Sequence, residues 1–412
     1  MNKTPSLSIV LYGADMCNGS CQYCTGALDW NDKGLDLKQG LGKDRIASLK
    51  AINNRLYQMI QFDFGAMEKR ILQWPDFNKS GSVMFSIWGG DPLASFDAYM
   101  EIYEFLHYIR DKYNKKVTLG GSTNGLAFLQ DDVAEFFLKT TDVHMQLSHD
   151  GIGQWIRTKD IDPLKIPAVE ELFKTTMLRN INCNLSLLNA NVKQNISYFQ
   201  SFPFLDPTKH GIRLYTMRDE RYEKATINTL GLLNGKVYDQ LKNEPFVDLQ
   251  VRNDVELAKK YNIFEFGHQA DLLFDGYYWM YENLNKVPLF KRSAITRIQQ
   301  LLKHKSQKTD DVMKYQRPWC AQYHLGQSTM SSCIDTLGKE TLCHLYDSRL
   351  TKMANPELKH PEKCNGCPYI KSYECNVCGR TDFSDRDCQL NYRLNMMAEH
   401  FHWIPQKYAQ KK

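Results

Sequence analysis

Short apolar runs alternate with amphipathic segments from Leu7 to about Tyr215. This alternation is typical of repeated β-α units around a parallel sheet. The predicted strands are Ile9 to Tyr12, Ser82 to Trp88, Lys116 to Gly121, Val143 to Ser148, Cys183 to Leu188 and Gly211 to Tyr215. The predicted helices are Asp44 to Gln73, Phe96 to Lys112, Asp131 to Leu138, Val169 to Arg179 and Asn191 to Phe202. Six strands are too few for an eightfold barrel, so the pattern predicts an α/β fold with a partial (β/α)6 TIM-type barrel.

The pattern changes after this barrel region. Residues 217–318 show helical periodicity around an aromatic-rich run, Phe264 to Tyr281. They predict a mainly helical connecting region that caps the barrel and is the best candidate for setting substrate choice. Residues 319–412 carry most of the cysteines and predict a separate C-terminal domain. The predicted domains are therefore 1–216, 217–318 and 319–412.

Composition narrows the class of protein. The chain has 412 residues, 42% hydrophobic and 24% charged, which is typical of a globular protein. Its net charge of +5 comes without a long basic run, so we expect no nucleic-acid partner. No apolar stretch approaches about 18 residues, so we expect no membrane span. The absence of a secretory signal pattern and the clustering of thiols predict a cytoplasmic protein.

Three thiols follow the first predicted strand in the spacing CxxxCxxC: Cys17, Cys21 and Cys24. A cubane [4Fe-4S] cluster normally takes four cysteines, so three leave one iron without a protein ligand. An open metal position is typical of catalysis or substrate binding rather than of a structural site. The alternatives are a zinc site or three unrelated core cysteines.

Eight further cysteines lie in the last quarter of the chain, and eight are what two fully ligated four-iron clusters require. They are Cys320, Cys333, Cys343, Cys364, Cys367, Cys375, Cys378 and Cys388. Only Cys183 is then left over, and its place in a predicted strand indicates an inert buried thiol. The alternative is a four-cysteine zinc ribbon in the CxxC pairs between 364 and 378.

Polar turns follow the second and third predicted strands. Gly89 and Gly90 let the backbone approach a ligand, and their carbonyls or the Asp91 carboxylate can accept hydrogen bonds from an ammonium group. Ser122 and Asn124 stand in the next turn, Ser-Thr-Asn-Gly. A structural turn explains the first segment equally well, and an ordinary polar loop explains the second.

The fourth predicted strand ends at Ser148, and the Arg157 guanidinium downstream is a natural bidentate partner for a carboxylate. His149 lies between them and is either functional or a core histidine. Asn191 follows the fifth strand, where a helix N-cap role is an equal alternative. In parallel β/α folds these strand ends are where ligands bind.

Together these motifs resemble the radical S-adenosylmethionine (SAM) superfamily. The CxxxCxxC spacing with Tyr23 before its last cysteine resembles the superfamily's cluster loop, and Gly89 to Pro92 resembles its Gly-Gly-Glu-Pro motif, with Asp91 in place of glutamate. The resemblance implies that SAM binds at the open iron and near Tyr23. It also implies that the SAM amino group is held by the glycine carbonyls rather than by Asp91. Further implied SAM contacts are Ser122, Asn124, Ser148, Asn191 and, for the carboxylate, Arg157.

The C-terminal cysteines, with the GxxxxC segment Gly338 to Cys343, resemble the SPASM domain of anaerobic sulfatase-maturating and peptide-modifying radical SAM enzymes. By this resemblance one auxiliary cluster is held by Cys320, Cys333, Cys343 and Cys378, and the other by Cys364, Cys367, Cys375 and Cys388. The spacing departs from the common pattern, so the division of Cys375 and Cys378 between the clusters stays open. His344 occupies the place of the aspartate that takes the substrate proton in relatives. Asp347 is a rival for this role, and a hydrogen bond toward the cluster is the alternative for His344.

The resemblance implies a radical SAM oxidoreductase or maturase. A reduced [4Fe-4S] cluster, supplied with electrons by a flavodoxin or ferredoxin, cleaves SAM to a 5'-deoxyadenosyl radical that abstracts hydrogen from a peptide or protein side chain. The expected outcome is an oxidation or a crosslink. One alternative is a dehydrogenase of a small sugar or aminocyclitol alcohol. Another is a non-catalytic iron-sulfur or zinc-binding protein.

Overall fold

The computed structural model describes residues 4–11, 17–19, 21, 41–158, 160–175, 177–185, 192–216, 276, 279–280, 283–291 and 331–341. The chain divides into two units, and the first comprises Met1–His149, Gln154–Asn182 and Ala321–Thr351. The second comprises Asp150–Gly153, Cys183–Cys320 and Lys352–Lys412. The predicted elements between 217 and 275 lie outside the described residues.

A parallel sheet forms the centre of the first unit. The strands of the described chain are β1 (Ser6–Val10), β2 (Ser82–Trp88), β3 (Lys116–Thr123), β4 (Val143–Ser148), β5 (Leu178–Leu185), β6 (Gly211–Thr216), β7 (Ser331–Asp335) and β8 (Glu340–Thr341). In the first unit their order is β5-β4-β3-β2-β1-β7-β8, and only β8 in this series pairs antiparallel. The prediction of an α/β fold with a parallel sheet is confirmed.

Helices connect successive strands. They are α1 (Arg45–Met59), α2 (Phe64–Gln73), α3 (Pro75–Lys79), α4 (Phe96–Lys112), α5 (Asp131–Lys139), α6 (Trp155–Thr158), α7 (Pro167–Lys174) and α8 (Val192–Gln200). α4 shows why the sequence forms helix here. The Ser95 hydroxyl caps its N-terminus by accepting the Ala98 amide, and Ile102, Leu106 and Ile109 recur at helical spacing and are fully buried.

The two faces of the sheet differ in chemistry, because successive side chains of a strand point to opposite faces. On β2, Val83, Phe85 and Ile87 are fully buried, and the intervening residues include Ser86, which is half-buried. β4 repeats this alternation: Val143, Met145 and Leu147 are buried, and the half-buried residues between them are His144, Gln146 and Ser148. The core therefore lies on the apolar face, and the other face carries the polar side chains of β4 together with Ser86, Met84 and Trp88 of β2.

Two predicted helix boundaries are wrong. The segment predicted as one helix from Asp44 to Gln73 is α1 and α2, because Asp63 leaves helical geometry and caps α2 through the Ala66 amide at 2.8 Å. The helix predicted to reach Arg179 ends at Lys174, and β5 begins at Leu178, before the predicted start at Cys183. Two polar residues stand together at 179 and 180, so the alternation of apolar and polar residues begins only at Ile181.

β7 and β8 lie in the segment that resembles a SPASM domain, and β7 extends the sheet by pairing parallel with β1, Cys333 opposite Ser8. In the turn between β7 and β8, the Asp335 carboxylate accepts the amides of Leu337 and Lys339 at 2.9 and 2.8 Å. Gly338 has φ +72, and a Cβ there would lie 2.6 Å from the Ala66 carbonyl carbon. Glycine at the start of the GxxxxC segment is therefore required by the backbone.

The second unit is described in part. Its described elements include β6 and α8, and residues 183–185 at the end of β5 also belong to it. Gly151 has φ +61, and the Asn195 Oδ1 that accepts the Ile152 amide at 3.1 Å would be 1.9 Å from a Cβ on Gly151. Only glycine fits there. No helix among the residues described in either unit is long and apolar enough to cross a membrane.

Candidate functional site

The structure describes ten of the residues assigned to a site from the sequence. In the first unit they are Cys17, Cys21, Gly89, Gly90, Asp91, Ser122, Asn124, Ser148, Arg157 and Cys333. The others lie outside the described residues: Tyr23, Cys24, Asn191, Cys320, Cys343, His344, Asp347, Cys364, Cys367, Cys375, Cys378 and Cys388. Most of the described group follows the carboxyl ends of β1 to β4, where a parallel β/α fold places its ligands.

Asp91 joins the turns that follow β2 and β3. Its carboxylate is 2% exposed and accepts the amide of Leu93 at 3.0 Å in its own turn. From the next turn it accepts the amide of Asn124 at 2.5 Å and the hydroxyl of Thr123 at 3.1 and 3.2 Å. Three donors therefore converge on one side chain, and the two turns are held as one structure.

Burial controls the charge of Asp91. Loss of hydration raises its pKa from 3.8 to about 6, since a buried carboxylate is less stable than a buried carboxylic acid. The amides of Asn124 and Leu93, the Thr123 hydroxyl and the positive charge of Arg157 all act in the opposite direction. Asp91 is therefore ionised near neutral pH and becomes protonated in mildly acidic solution.

The Asn124 side chain links the turn after β3 to the cysteine loop. Its Nδ2 donates to the Asn18 Oδ1 at 2.7 Å and lies 3.6 Å from the Cys17 Sγ. The Cys17 sulfur also accepts the Gly19 amide at 3.3 Å. The side-chain amide that the resemblance assigns to SAM thus contacts Cys17 and the neighbouring Asn18.

Arg157 and Cys21 approach the same loop from another side. The Cys21 thiol lies 4.0 Å from the Arg157 carbonyl oxygen, and a Cβ on Gly19 would lie 3.8 Å from that oxygen. Arg157 is 8% exposed on the short helix α6. The loop, both turns and α6 therefore lie together, and the positive charge of Arg157 contributes to lowering the pKa of Asp91 against the effect of burial.

Ser122 and Ser148 extend the polar face at the ends of β3 and β4. Their hydroxyl oxygens are 2.8 Å apart, and both side chains are half-buried. Gly89 and Gly90 follow β2 directly, ahead of Asp91. Hydroxyl groups and glycine carbonyls at these positions suit a polar ligand bound over the strand ends.

His149 belongs to the core. It is fully buried, and its Nε2 lies 2.9 Å from the Asp162 Oδ1. Burial lowers the pKa of His149, although Asp162 acts in the opposite direction. Asp162 also accepts the Leu164 amide at 3.1 Å. The interpretation of His149 as a core histidine therefore fits its position.

The cysteine loop suits an iron-sulfur cluster in its donor chemistry. Cys17 and Cys21 supply two thiols of the CxxxCxxC spacing, and neither forms a disulfide. Asn18 is 2% exposed, and its Nδ2 has no hydrogen-bond partner among the described residues. A buried N–H donor beside thiols matches the sulfide and thiolate acceptors of a cluster. Within the described ranges no three metal-ligating side chains group together, since Cys24 is outside them.

Two further cysteines are described. Cys333 is fully buried in β7, on the face of the sheet shared with Ser8. Cys183 is fully buried in β5, as expected for a core thiol.

Three contributing residues were not predicted: Asn18, Gly19 and Thr123. Asn18 and Gly19 occupy variable positions inside CxxxC, and Thr123 was treated as part of a turn. One signal could have found them. Small and amide residues stand next to Cys17, and a Thr-Asn-Gly turn follows another strand of the sheet. That signal acquires meaning only when β1 and β3 are known to be close.

No protein-family model matches this chain, and no curated protein sequence matches it. Solved structures do match. The native anSMEcpe with bound AdoMet, an anaerobic sulfatase-maturating enzyme, aligns at a TM-score of 0.50 with 17% identity, covering 96% of this chain and 99% of that one. The described part of this chain, a parallel sheet with connecting helices, has the fold of anSMEcpe. A polyhistidine-tagged form of anSMEcpe with bound AdoMet gives a TM-score of 0.51 at 16% identity, covering 98% and 99% of the two chains.

Native anSMEcpe with bound AdoMet and Kp18Cys peptide also aligns, at a TM-score of 0.51 and 17% identity over 96% and 100% of the two chains. The alignment with anSMEcpe thus extends over nearly the whole of both chains. Because the sequence identity is this low, the comparison with anSMEcpe concerns the fold, and any assignment of function rests on the sequence motifs.

Proposed function

We propose that this protein is a radical SAM enzyme that acts on a peptide or protein side chain. The observation that carries the proposal is the contact cluster at the strand ends, in a chain with the fold of anSMEcpe. There Cys17 and Cys21 lie beside the two turns, joined by Asp91 and Asn124, and beside Arg157. These are the segments that resemble the cluster loop and SAM motifs of the superfamily.

The roles follow from the donor chemistry of each segment. Cys17, Cys21 and Cys24 would hold the cluster, which when bound supplies the electron that cleaves SAM reductively. The Arg157 guanidinium binds the SAM carboxylate, since its planar fork suits two oxygens. The hydroxyls of Ser122 and Ser148 donate and accept hydrogen bonds with the ribose or the carboxylate of SAM. The residues of this chain would thereby orient the SAM sulfonium toward the cysteine loop.

The peptide substrate is proposed from two lines of support. The C-terminal cysteines resemble a SPASM domain, with Cys320, Cys333, Cys343 and Cys378 for one auxiliary cluster and the remaining four for the other. The anSMEcpe structure with bound Kp18Cys peptide has the same fold. His344 or Asp347 takes the substrate proton, a flavodoxin or ferredoxin supplies electrons, and the cytoplasm supplies the reducing conditions.

A SAM-cleavage assay tests the proposal. Anaerobically reconstituted protein should hold about twelve iron ions, four for each of three clusters, and form 5'-deoxyadenosine from SAM and a reductant. Cys21→Ala should abolish 5'-deoxyadenosine and remove about four of the iron ions. The matched control is Cys183→Ala, a cysteine buried in β5 and not part of CxxxCxxC, which should retain both.

Zinc in place of iron, without SAM cleavage, would show that the protein is a metal-binding protein of another kind.

The substrate class is tested by adding peptides or polyols to the SAM-cleaving protein. A peptide whose mass falls through loss of hydrogen in the reaction, as measured by mass spectrometry, supports the maturase function. Oxidation of a sugar alcohol instead would favour the dehydrogenase.

A further inference from the structure

The orientation of the Asn124 side chain is fixed by its own turn. Its Oδ1 accepts the Leu126 amide at 3.0 Å, so the amide nitrogen must point the other way. That nitrogen donates to Asn18 at 2.7 Å and lies 3.6 Å from the Cys17 Sγ. Asn124 is 4% exposed, so water does not compete for this donor.

The backbone of Asn124 is fixed as well. Its N–H donates to Asp91, and the following residue, Gly125, has φ +81, which ends β3 with a tight turn. Gly19 leaves room for the approach, because a Cβ there would lie 3.1 Å from the Asn124 Nδ2 and 3.5 Å from the Cys17 Sγ. The donor is therefore held against the sulfur before any cluster is present.

A hydrogen bond to a cysteine sulfur changes the properties of the iron it ligates. The donor withdraws electron density from the thiolate, which stabilises the reduced cluster with its additional negative charge. The effect is larger in a buried site because the local dielectric constant is low. A lost donor, or a negative charge in its place, makes reduction harder.

We propose that Asn124 is a positioning residue that raises the reduction potential of the N-terminal cluster through its hydrogen bond to the Cys17 sulfur. The inference rests on the proposed function, because it requires a cluster on Cys17. It assigns the Asn124 side chain to the cluster ligand rather than to SAM. Asp91 contributes by holding the Asn124 backbone in place.

The test is a potentiometric titration followed by electron paramagnetic resonance, on full-length anaerobically reconstituted protein. The signal followed is the one that changes when SAM is added, which separates the N-terminal cluster from any other. Asn124→Asp keeps the acceptor for Leu126 and replaces the donor with a negative charge. Asn124→Ser keeps a turn-capping hydroxyl that is too short to reach the sulfur. The control is Asn78→Asp, the same change at an exposed residue of α3.

We expect the potential to become more negative in the order wild type, Asn124→Ser, Asn124→Asp, with Asn78→Asp equal to wild type. Equal potentials in wild type and both Asn124 variants would overturn the inference while leaving the proposed function intact. If Asn124→Asp assembles no cluster, the Asn124→Ser potential decides. A wild-type protein without any SAM-responsive cluster signal would instead overturn the proposed function. A purely structural role would lower the thermal stability of the Asn124 variants without moving the potential.

Discussion

Two buried titratable groups stabilise the strand ends in different ways. Asp91, after β2, is a carboxylate that accepts from Leu93, Thr123 and Asn124, and its burial raises its pKa. His149, after β4, is an imidazole bonded to Asp162, and its burial lowers its pKa. Both are at most 2% exposed.

The difference lies in where their contacts lead. From Asp91 the contacts pass through Asn124 to Asn18 and the Cys17 sulfur, which is the candidate cluster loop. His149 bonds to Asp162, whose other carboxylate oxygen lies 3.5 Å from the exposed Lys165, and the positive charge of Arg157 contributes to lowering the pKa of His149. Similar burial thus serves the site in one case and closes the core in the other.

Removal of the Asp91 carboxylate should have the largest effect. Asp91→Ala leaves three buried donors without an acceptor, and each costs about 1–3 kcal/mol, so we expect about 3 kcal/mol of lost unfolding free energy. Iron binding at the N-terminal loop should fall with it, because Asn124 loses its anchor. Urea unfolding and iron analysis measure the two effects.

The matched control for that change is Asp160→Ala, an exposed carboxylate paired with Arg45, which should change stability by less than about 1 kcal/mol. Full N-terminal iron in Asp91→Ala would show that the two turns hold the loop without this carboxylate.

His149→Ala should have a smaller and purely structural effect. The change removes a buried ring and its bond to Asp162, at a cost of about 2 kcal/mol. Because His149 bonds to Asp162, which lies outside the cysteine loop, we expect the iron content and SAM cleavage of the folded protein to be unchanged. Loss of iron as large as in Asp91→Ala would remove the distinction between the two groups.

The smallest effect is the pH dependence, where the two groups have opposite signs. The pKa of Asp91 is higher in the folded than in the unfolded chain, so the stability it contributes is complete below about pH 3.8 and is lost as pH rises through about 6. Between pH 5 and 7 this loss amounts to about 1 kcal/mol. The pKa of His149 is lowered, so its contribution is present above pH 6.5 and is lost as pH falls.

Single variants separate these opposing slopes. Asp91→Asn removes the first, so its stability relative to wild type should rise from pH 5 to pH 7. His149→Gln removes the second, and its stability relative to wild type should fall over the same range. Urea unfolding at both pH values measures the two differences. Parallel curves for both variants and wild type would show that neither group titrates as its burial indicates.

The sequence predicted those elements whose local pattern is strong. α4 runs from Phe96 to Lys112 and β4 from Val143 to Ser148, as predicted. Apolar residues recur about every 3.6 residues in α4 and about every 2 residues in β4. The break between α1 and α2 was missed because Asp63 interrupts a segment that otherwise has helical periodicity. The start of β5 was missed because its first residues are largely polar.

The residues of the candidate site were proposed from the sequence, but their contacts with one another were not. CxxxCxxC, Gly-Gly-Asp-Pro and Thr-Asn-Gly indicated a common chemistry through their resemblance to motifs of the radical SAM superfamily. They did not indicate that Asp91 would bind the turn of the neighbouring strand, or that Asn124 would contact Cys17. Such contacts join positions 33 and 107 residues apart in the chain.

The sequence by itself therefore determined the β-α alternation, the thiols available for metal and the polar strand ends, since each depends on local order along the chain. The tertiary structure decided which of these groups meet. β1, β2 and β3 are adjacent only because parallel pairing brings their carboxyl ends to one edge of the sheet. Burial at that edge then raises the pKa of Asp91, and the turn after β3 directs the Asn124 donor toward sulfur.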